Sequence, residues 1–247
     1  MAYVRVEEHG DVALVRVDRP PANALDPDLL HEARAVADDL TSSGPGAVVL
    51  TGREGFFSAG LDLKLVPTLD AEGQRTMVDG VNRLMAAWYS FPRPVVCAVN
   101  GHAIAGGMII ALCGDYRVGC KQGKLGLTEL RAGVPYPAVP MAIVRTELSP
   151  AAARVLALRA HLVDPEEALA LGLVDELTAP EDVLERALVV AADMAELPAQ
   201  AYWETKRELR GEAIETIAGV LEHGDPLVSS WLDTGDPSAG AALLGGS

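Results

Sequence analysis

The sequence predicts an α/β fold built from βαβ units, followed by a region that is helical almost throughout. Two short apolar runs, residues 47–51 and 95–99, have the composition of strands that are buried on both faces, and residues 116–120 are expected to form a third strand. Segments with helical spacing separate these runs, so the strands are expected to be parallel and joined by right-handed crossovers. From about residue 138 onward, apolar residues recur at helical spacing.

The N-terminal segment predicts a hairpin and then a helix. Residues 4–8 and 11–17 are rich in β-branched residues and lie on either side of a glycine, a pattern typical of two antiparallel strands. Asp26 followed by Pro27 suits the N-cap and the first position of a helix. The Gly-Pro-Gly run at 44–46 predicts where that helix ends.

The middle of the chain predicts loops and helices between the buried strands. Residues 52–60 have the composition of a glycine-bearing loop that leads into a helical turn at 61–66. A longer helix is expected at 72–89, a turn at 100–101, and a buried helix from Gly106 onward. Each buried strand is therefore expected to lead into a helix through a connection of small residues.

Composition and charge exclude several classes of protein. Of the 247 residues, 49% are hydrophobic and 22% charged, and the formal net charge is -15. A polyanion such as nucleic acid would be repelled, and an aromatic content of 4% offers few stacking platforms for single strands. A small anion can still bind, because helix N-termini and local cations act at contact distance.

The sequence carries no pattern typical of export or of membrane insertion. Three cysteines without a CxxC pair are typical of reduced thiols in a cytosolic protein. The first residues contain neither a basic nor an apolar signal region. The longest weakly polar run, 102–113, is too short and too rich in glycine to cross a bilayer. We therefore expect a cytoplasmic protein without a membrane or nucleic-acid partner.

One pattern of possible chemical importance occurs twice. The predicted strand 47–51 is followed by the small residues of 58–62, and the strand 95–99 is followed by those of 105–108. Small residues let a ligand approach the backbone, and a helix N-terminus leaves N–H groups unpaired. Two such termini side by side would form a two-donor oxyanion hole for a carbonyl oxygen that becomes an enolate. Two ordinary glycine-containing turns explain the spacing equally well.

Five segments of the chain match known motifs in order and spacing. They are 57–64 (FSAGLDLK), 99–107 (VNGHAIAGG) and 126–129 (GLTE), with 21–25 (PANAL) and 168–175 (ALALGLVD). On these segments the sequence is similar to the crotonase (enoyl-CoA hydratase/isomerase) superfamily, most of all its 3,2-enoyl-CoA isomerase-like branch, from about residue 3 to residue 220. The resemblance implies a crotonase-like (ClpP/crotonase) spiral of ββα and βαβ units with a helical C-terminal region.

The resemblance also implies a site for a coenzyme A thioester. The oxyanion donors fall on the backbone N–H groups of Leu61 and Gly106, and the two catalytic glutamates of the family fall on Ile109 and Glu129. The thioester is the substrate, and neither a separate cofactor nor a metal is expected. The implied substrate and CoA contacts are Ala22, Ala24, Leu61, Asp62, Leu63, Lys64, Gly106, Ile109 and Thr128.

The isoleucine at position 109 favours one reaction over another. Hydration of a 2-enoyl thioester uses two carboxylates in similar family members, whereas moving a double bond from C3 to C2 needs only one acid/base. We therefore expect an isomerase in which Glu129 is buried and has a raised pKa. An enoyl-CoA hydratase, another crotonase-type reaction and a non-catalytic acyl-CoA-binding protein stay open as alternatives.

Further expectations concern assembly and the neighbouring polar residues. The family resemblance implies a homotrimer or a hexamer made of two trimers, with residues 1–195 as the α/β core and 196–247 as a helical trimerisation region and flexible tail. Helices between 181 and 221 would supply much of the contact. Asp62 is expected to be structural and His102 to be a loop or core histidine. Three cations, Lys64, Arg16 and Arg19, either contact CoA phosphates or are solvated.

Overall fold

The computed structural model describes residues 2–233, which form two sheets and a set of surrounding helices. The strands are β1 (Val4–His9), β2 (Val12–Val17), β3 (Ala47–Thr51), β4 (Gly55–Ser58), β5 (Val95–Val99), β6 (Gly101–Ile104), β7 (Tyr116–Cys120), β8 (Leu125–Gly126), β9 (Leu162–Val163) and β10 (Glu176–Thr178). The helices are α1 (Pro27–Ser43), α2 (Ala71–Tyr89), α3 (Gly106–Leu112), α4 (Ala138–Glu147), α5 (Pro150–Ala153), α6 (Pro165–Ala170), α7 (Val183–Ala195), α8 (Ala199–Leu209), α9 (Gly211–His223) and α10 (Val228–Asp233).

The larger sheet has six strands in the order β1-β2-β3-β5-β7-β10. β1 is antiparallel to β2, and the remaining pairs are parallel. The predicted hairpin is confirmed, and the three buried strands have the predicted bounds.

Both faces of this sheet are covered, which explains why its central strands β3 and β5 are almost entirely apolar. In β3, Val48 and Leu50 belong to the core packed against the helices of one face. Ala47 and Val49 point to the other face, where the apolar stripe of α7 covers them. Because alternate side chains meet different layers, a polar residue on either face needs a hydrogen-bond partner, which the Thr51 hydroxyl finds in a carbonyl oxygen of β5.

The smaller sheet, in the order β4-β6-β8-β9, was not predicted from the sequence. The expected loop at 52–60 contains β4, and the expected turn at 100–101 is the start of β6, so both expectations were wrong. Strands β4 and β6 each have only four residues, too few for a recognisable alternation, and each begins with a glycine. The glycine is sterically required in β6, because a Cβ on Gly101 would lie 2.2 Å from the Gly55 carbonyl oxygen.

Helices α1 and α2 begin where the sequence predicted, each with a capping carboxylate. Asp26 Oδ1 accepts a hydrogen bond from Leu29 N at 2.8 Å, and Asp70 Oδ1 accepts one from Gly73 N at 2.8 Å. Such a cap satisfies an N–H group that the helix itself leaves unpaired. The two helices pack against each other, and α2 contributes one wall of the cavity described below.

Helices occur between 181 and 221 as expected, and the last part of this region forms two of them, α8 and α9. Arg210 (φ -105°, ψ 11°) separates α8 from α9, and its guanidinium is buried against the core. It donates to the carbonyl oxygens of Tyr89, Cys113 and Gly114 at 3.0–3.2 Å. Because the helix is interrupted at Arg210, the side chain of this residue reaches the core and attaches α8 and α9 to it.

The assignment of residues 196–247 to trimerisation stays a prediction. The part of the predicted tail at 234–247 lies outside the described residues, whereas residues 228–233 form α10. None of the helices within residues 2–233 combines the length and the apolar character needed to cross a membrane.

Candidate active site

A cavity with about 650 Å³ of empty space lies where the smaller sheet meets α2, α3 and the segment from 128 to 140. Its walls are mainly aliphatic. Of the residues predicted to form the site, those that line it are Leu61, Leu63, Gly106, Ile109, Thr128 and Glu129. Chain segments that are far apart in sequence therefore meet at one cavity, as the motifs predicted.

The backbone amides of Leu61 and Gly106 lie on touching segments beside the cavity. A Cβ on Gly60 would lie 3.0 Å from Gly106 N, so the two loops are at van der Waals distance. Within residues 2–233, neither Leu61 N nor Gly106 N donates to a protein acceptor. The Leu61 peptide is held on both sides, because Leu25 N donates to Gly60 O at 2.7 Å and Asp62 N donates to Leu25 O at 2.9 Å. Two unpaired amides on fixed backbone are suited to binding an oxyanion.

Ala105, immediately before α3, has an unusual backbone conformation. Its φ of 51° and ψ of -129° lie in a region that residues with a Cβ rarely occupy. Such strain persists only where the surroundings impose it, and it concentrates at functional sites. The turn at Ala105 starts α3 abruptly, with Gly106 as its first residue. Gly107 permits the close packing, because a Cβ there would lie 2.3 Å from Ser58 O.

No helix begins at Leu61, which corrects the prediction of two adjacent helix N-termini. Leu61 forms a bridge with Leu25, and the helical turn predicted at 61–66 is a single hydrogen-bonded turn, in which two N–H groups donate to Asp62 O at 2.9 and 3.0 Å before a 3₁₀ helix at Val66–Thr68. Asp62 Oδ1 also accepts from Lys64 N at 3.1 Å, a local side-chain bond typical of such a turn. The first amide therefore comes from a turn, and only the second lies at a helix start.

Glu129 opens a 3₁₀ turn, Glu129–Ala132, and points into apolar surroundings. The residue is 8% exposed, and burial raises the pKa of its carboxyl to about 7. Its Oε2 is buried and has no hydrogen-bond partner among the described residues. Ile109, which is 1% exposed, lines the same cavity. The predicted burial and raised pKa of Glu129 are confirmed.

Glu129 is the only titratable side chain among the described residues that line the cavity. A carboxyl with a pKa near 7 is suited to both accepting and returning a proton at neutral pH. Two free amides and one such carboxyl can stabilise an enolate and transfer protons beside it. Within residues 2–233, no group of histidine, cysteine and carboxylate side chains is arranged to hold a metal ion.

The remaining predicted contacts lie outside the cavity lining. The Ala22 carbonyl accepts from Ala59 N at 3.0 Å, and the Ala24 carbonyl accepts from Arg19 Nη1 at 3.0 Å. Asp62 pairs with Arg19, whereas Lys64 is exposed. The backbone of 22–24 is thus attached to the segments that carry the first amide.

Arg19 is not a solvated cation, which corrects one of the two alternatives weighed from the sequence. Its Nη2 lies 2.7 Å from Asp26 Oδ2 and 3.2 Å from Asp62 Oδ2, and its side chain is 16% exposed. It links the N-cap of α1 to the turn after Leu61, which also agrees with a structural role for Asp62. Arg16 pairs with Glu7 on the hairpin.

His102 is a structural histidine, as predicted. Its ring stacks on Phe56 with centroids 4.8 Å apart, and its Nδ1 accepts from Lys124 N at 3.1 Å. Partial burial and the nearby Lys124 lower its pKa. It does not line the cavity.

Several cavity residues were missed by the sequence analysis. Val81 and Met85 extend from α2, and a proline-rich run after Glu129 supplies another wall. The three prolines of 134–140 were a usable signal, because such a run fixes the backbone beside a predicted catalytic residue. The α2 residues were indistinguishable from ordinary core positions. The proline wall consists of Pro135, Pro137 and Pro140.

Comparisons with known proteins identify the family of this chain. The family model described as Enoyl-CoA hydratase/isomerase matches residues 7–238. A Mycobacterium tuberculosis (H37Rv) protein named probable enoyl-CoA hydratase EchA17 is 34% identical over 196 residues, covering 79% of this chain and 75% of that protein.

Two solved structures are similar over nearly their full length. The enoyl-CoA hydratase EchA3 from Mycobacterium ulcerans Agy99 has a TM-score of 0.86 at 31% identity, covering 92% of this chain and 98% of that one. Human mitochondrial delta3-delta2-enoyl-CoA isomerase has a TM-score of 0.90 at 27% identity, covering 98% and 96%. The predicted crotonase-like fold is confirmed, and the chain belongs to the enoyl-CoA hydratase/isomerase family of the crotonase superfamily.

Proposed function

We propose that this enzyme is an enoyl-CoA isomerase that moves a double bond of an acyl-CoA thioester from C3 to C2. The observation that carries the proposal is the make-up of the cavity. Glu129 is its one titratable side chain in the described chain, and Ile109 occupies the position where the family resemblance places a second glutamate. One acid/base is sufficient for isomerisation.

In the proposed reaction, the Glu129 carboxylate removes a proton from C2 of the 3-enoyl thioester. The electrons of that C–H bond pass into the thioester and give a dienolate with its negative charge on oxygen. The protonated Glu129 then returns the proton to C4, and the double bond settles between C2 and C3. No electrons or atoms are gained or lost, so the reaction needs no separate cofactor.

The amides of Leu61 and Gly106 would stabilise the dienolate oxygen. Each preorganised donor of this kind contributes roughly 3–4 kcal/mol to lowering a barrier in a site that excludes water. Because neither amide is used within the described fold, the enzyme need not break an existing bond to supply them. The backbone around them is already fixed by Leu25.

Hydration is less well supported by this cavity. Adding water across a 2-enoyl thioester requires one group to hold and activate the water and another to deliver a proton to C2. The aliphatic side chain of Ile109 can do neither. The hydratase names of relatives such as the Mycobacterium ulcerans protein make hydration the alternative that an experiment must exclude.

For the CoA portion, we propose contacts with the backbone of Ala22 and Ala24 and with the segment from Asp62 to Lys64. Lys64 is exposed and has no ion-pair partner among the described residues, so it is available to a phosphate. Arg19, in contrast, is committed to Asp26 and Asp62.

We also propose a homotrimer, or a pair of trimers, as the working assembly. Large apolar side chains are exposed along the C-terminal helices, which a monomer would leave in water. They include Val189 (56% exposed), Leu197 (50%) and Leu209 (77%). Light scattering on the eluted protein tests this directly, and a monomer at micromolar concentration would contradict it.

The function is tested by presenting three thioesters to the purified protein: a 3-enoyl-CoA, a 2-enoyl-CoA and a saturated acyl-CoA. The proposal expects rapid conversion of the 3-enoyl substrate to the conjugated 2-enoyl product, with little 3-hydroxyacyl-CoA formed from the 2-enoyl substrate. Efficient hydration without isomerisation would overturn the proposal. Binding of the thioesters without turnover of any would indicate a non-catalytic binding protein.

A further inference from the structure

A second polar group is buried in the loop that follows Glu129. Tyr136 is 6% exposed, and its hydroxyl has no hydrogen-bond partner among the described residues. Oε2 of Glu129 is buried and unpartnered in the same way. A buried polar group left unsatisfied costs on the order of 1–3 kcal/mol, so two in one loop call for a functional explanation.

The path of the loop returns Tyr136 to the vicinity of the carboxyl. Val134 N donates to Glu129 O at 3.0 Å, and Gly133 takes the left-handed conformation (φ 69°) that closes the turn. Pro135 and Pro137 flank the tyrosine, and both line the cavity. Since prolines restrict the backbone on either side, the phenol is carried by a rigid segment.

The two groups affect each other electrostatically. The Tyr136 hydroxyl lowers the pKa of Glu129 and so partly opposes the larger effect of burial. Burial and the Glu129 carboxylate raise the pKa of Tyr136 far above its ordinary value, so the phenol stays protonated at any working pH. Tyr136 can therefore donate a hydrogen bond but cannot act as the base.

Other charges on the neighbouring elements are directed elsewhere. Arg131, in the same turn, and Arg154, in the segment packed against that turn, are both exposed. Asp225 accepts hydrogen bonds from an amide on α2 and a backbone N–H of α4. Asp79 and Arg83 on α2 pair with each other at the surface. Of these side chains, Tyr136 is thus the one that affects the ionisation of Glu129.

We propose that Tyr136 is a positioning residue that holds one carboxyl oxygen of Glu129 by a hydrogen bond and leaves the other oxygen free to move the substrate proton. This inference rests on the proposed role of Glu129 as the sole base. The proposed bond would satisfy both atoms, each of which is buried and without a partner among the described residues. The phenol would favour the ionised carboxyl and fix its orientation toward C2 and C4.

The test replaces Tyr136 with phenylalanine, which keeps the ring and removes only the hydroxyl. In the free protein, the carboxyl of Glu129 is titrated by infrared spectroscopy and assigned by its loss in Glu129→Gln. Loss of the donor should move this titration, and the acid limb of kcat/KM, to higher pH by about half a pH unit or more. In the same variant kcat should fall about tenfold, the usual scale for one hydrogen bond to a charged group, with KM changed little.

Tyr202→Phe is the matched control, because Tyr202 is another tyrosine whose pKa is strongly raised by burial but interacts with Asp115 rather than with Glu129. It should leave the carboxyl titration unchanged. If the titration of Glu129 is also unchanged in Tyr136→Phe, Tyr136 contributes only to packing and the inference is wrong. The titration needs no turnover, so it distinguishes a failure of this inference from a failure of the proposed isomerase activity. Thermal unfolding of both variants confirms that they are folded.

Discussion

Glu129 and Ile109 line one cavity, so the single buried carboxyl of the site shares its space with an aliphatic side chain. This relationship has two consequences. The apolar surroundings penalise the charged carboxyl and raise its pKa to about 7. They also leave the site without a second group that could hold and activate water. A cavity with one carboxyl and an aliphatic side chain in the second position therefore supports proton transfer by Glu129 and disfavours hydration of the substrate.

The first prediction concerns the pH dependence of catalysis. Glu129 must be ionised in the free enzyme to remove a proton, and its pKa is about 7. Isomerisation measured as kcat/KM should therefore increase about tenfold per pH unit below this value and level off above it. A rate that is constant between pH 5 and 9 would show that Glu129 is not the base, or that its pKa is not raised.

The second prediction concerns stability. The pKa of Glu129 is raised from 4.5 to about 7 on folding, so the folded protein holds this proton more tightly than the unfolded chain. The stability that this provides is present below about pH 4.5 and is lost as the pH rises through about 7. Glu129→Gln, which cannot ionise, should therefore be more stable than the wild type at pH 8 by up to about 3 kcal/mol.

Urea unfolding at pH 8 and pH 4.5 checks this sign. The advantage of Glu129→Gln should shrink at the lower pH. If the variant is less stable than the wild type at pH 8, the ionised carboxyl contributes favourable interactions that outweigh its burial.

The third prediction concerns the strain before α3. Ala105 has a positive φ of 51°, and glycine adopts this conformation without a steric penalty. Ala105→Gly should relieve about 1–3 kcal/mol of strain and lose about 0.5–1 kcal/mol through the more flexible unfolded chain. We expect a net gain of about 1 kcal/mol in unfolding free energy, with activity retained. A clear loss of stability would mean that Ala105 is not strained.

The fourth prediction concerns the buried ion pairs that hold α8 and α9. Asp115 Oδ2 lies 2.8 Å from Lys206 Nζ, its Oδ1 lies 3.1 Å from Arg210 Nη1, and it also accepts from Val95 N. Asp115→Ala would leave the buried Lys206 without a carboxylate partner and Arg210 with Glu147 alone, so it should cost about 3–5 kcal/mol of stability. An exposed pair on α1 provides the control: Arg34→Ala, which breaks a contact with Asp38, should cost less than about 1 kcal/mol.

Much of the fold could be predicted because its main strands are buried on both faces. The apolar runs at β3 and β5 are short and rich in valine, which favours strands over buried helices. The second sheet could not be predicted, since β4 and β6 are four-residue strands paired through glycines. Their pairing joins segments that are far apart in the chain, so neither segment alone predicts it.

The candidate site residues were predicted through motif resemblance more than through local structure. A helix was expected to begin at Leu61, whereas a single turn begins at Asp62, whose side chain pairs with Arg19. That ion pair joins residues 43 positions apart and was not visible in the sequence. Tyr136 was missed because the prolines that flank it mark a rigid segment but do not show that its hydroxyl is buried near a carboxyl. Burial beside a carboxyl becomes apparent only in three dimensions.

One carboxyl is proposed to carry out both proton transfers, from C2 and to C4, and Glu129→Gln tests this role most directly. The variant keeps the shape of the side chain, so it should bind a 3-enoyl-CoA with an affinity close to that of the wild type. Its kcat for isomerisation should fall by about a thousandfold or more, within the range for loss of a positioned acid/base. A Glu129→Gln enzyme that binds the thioester and isomerises it at the wild-type rate would contradict the account.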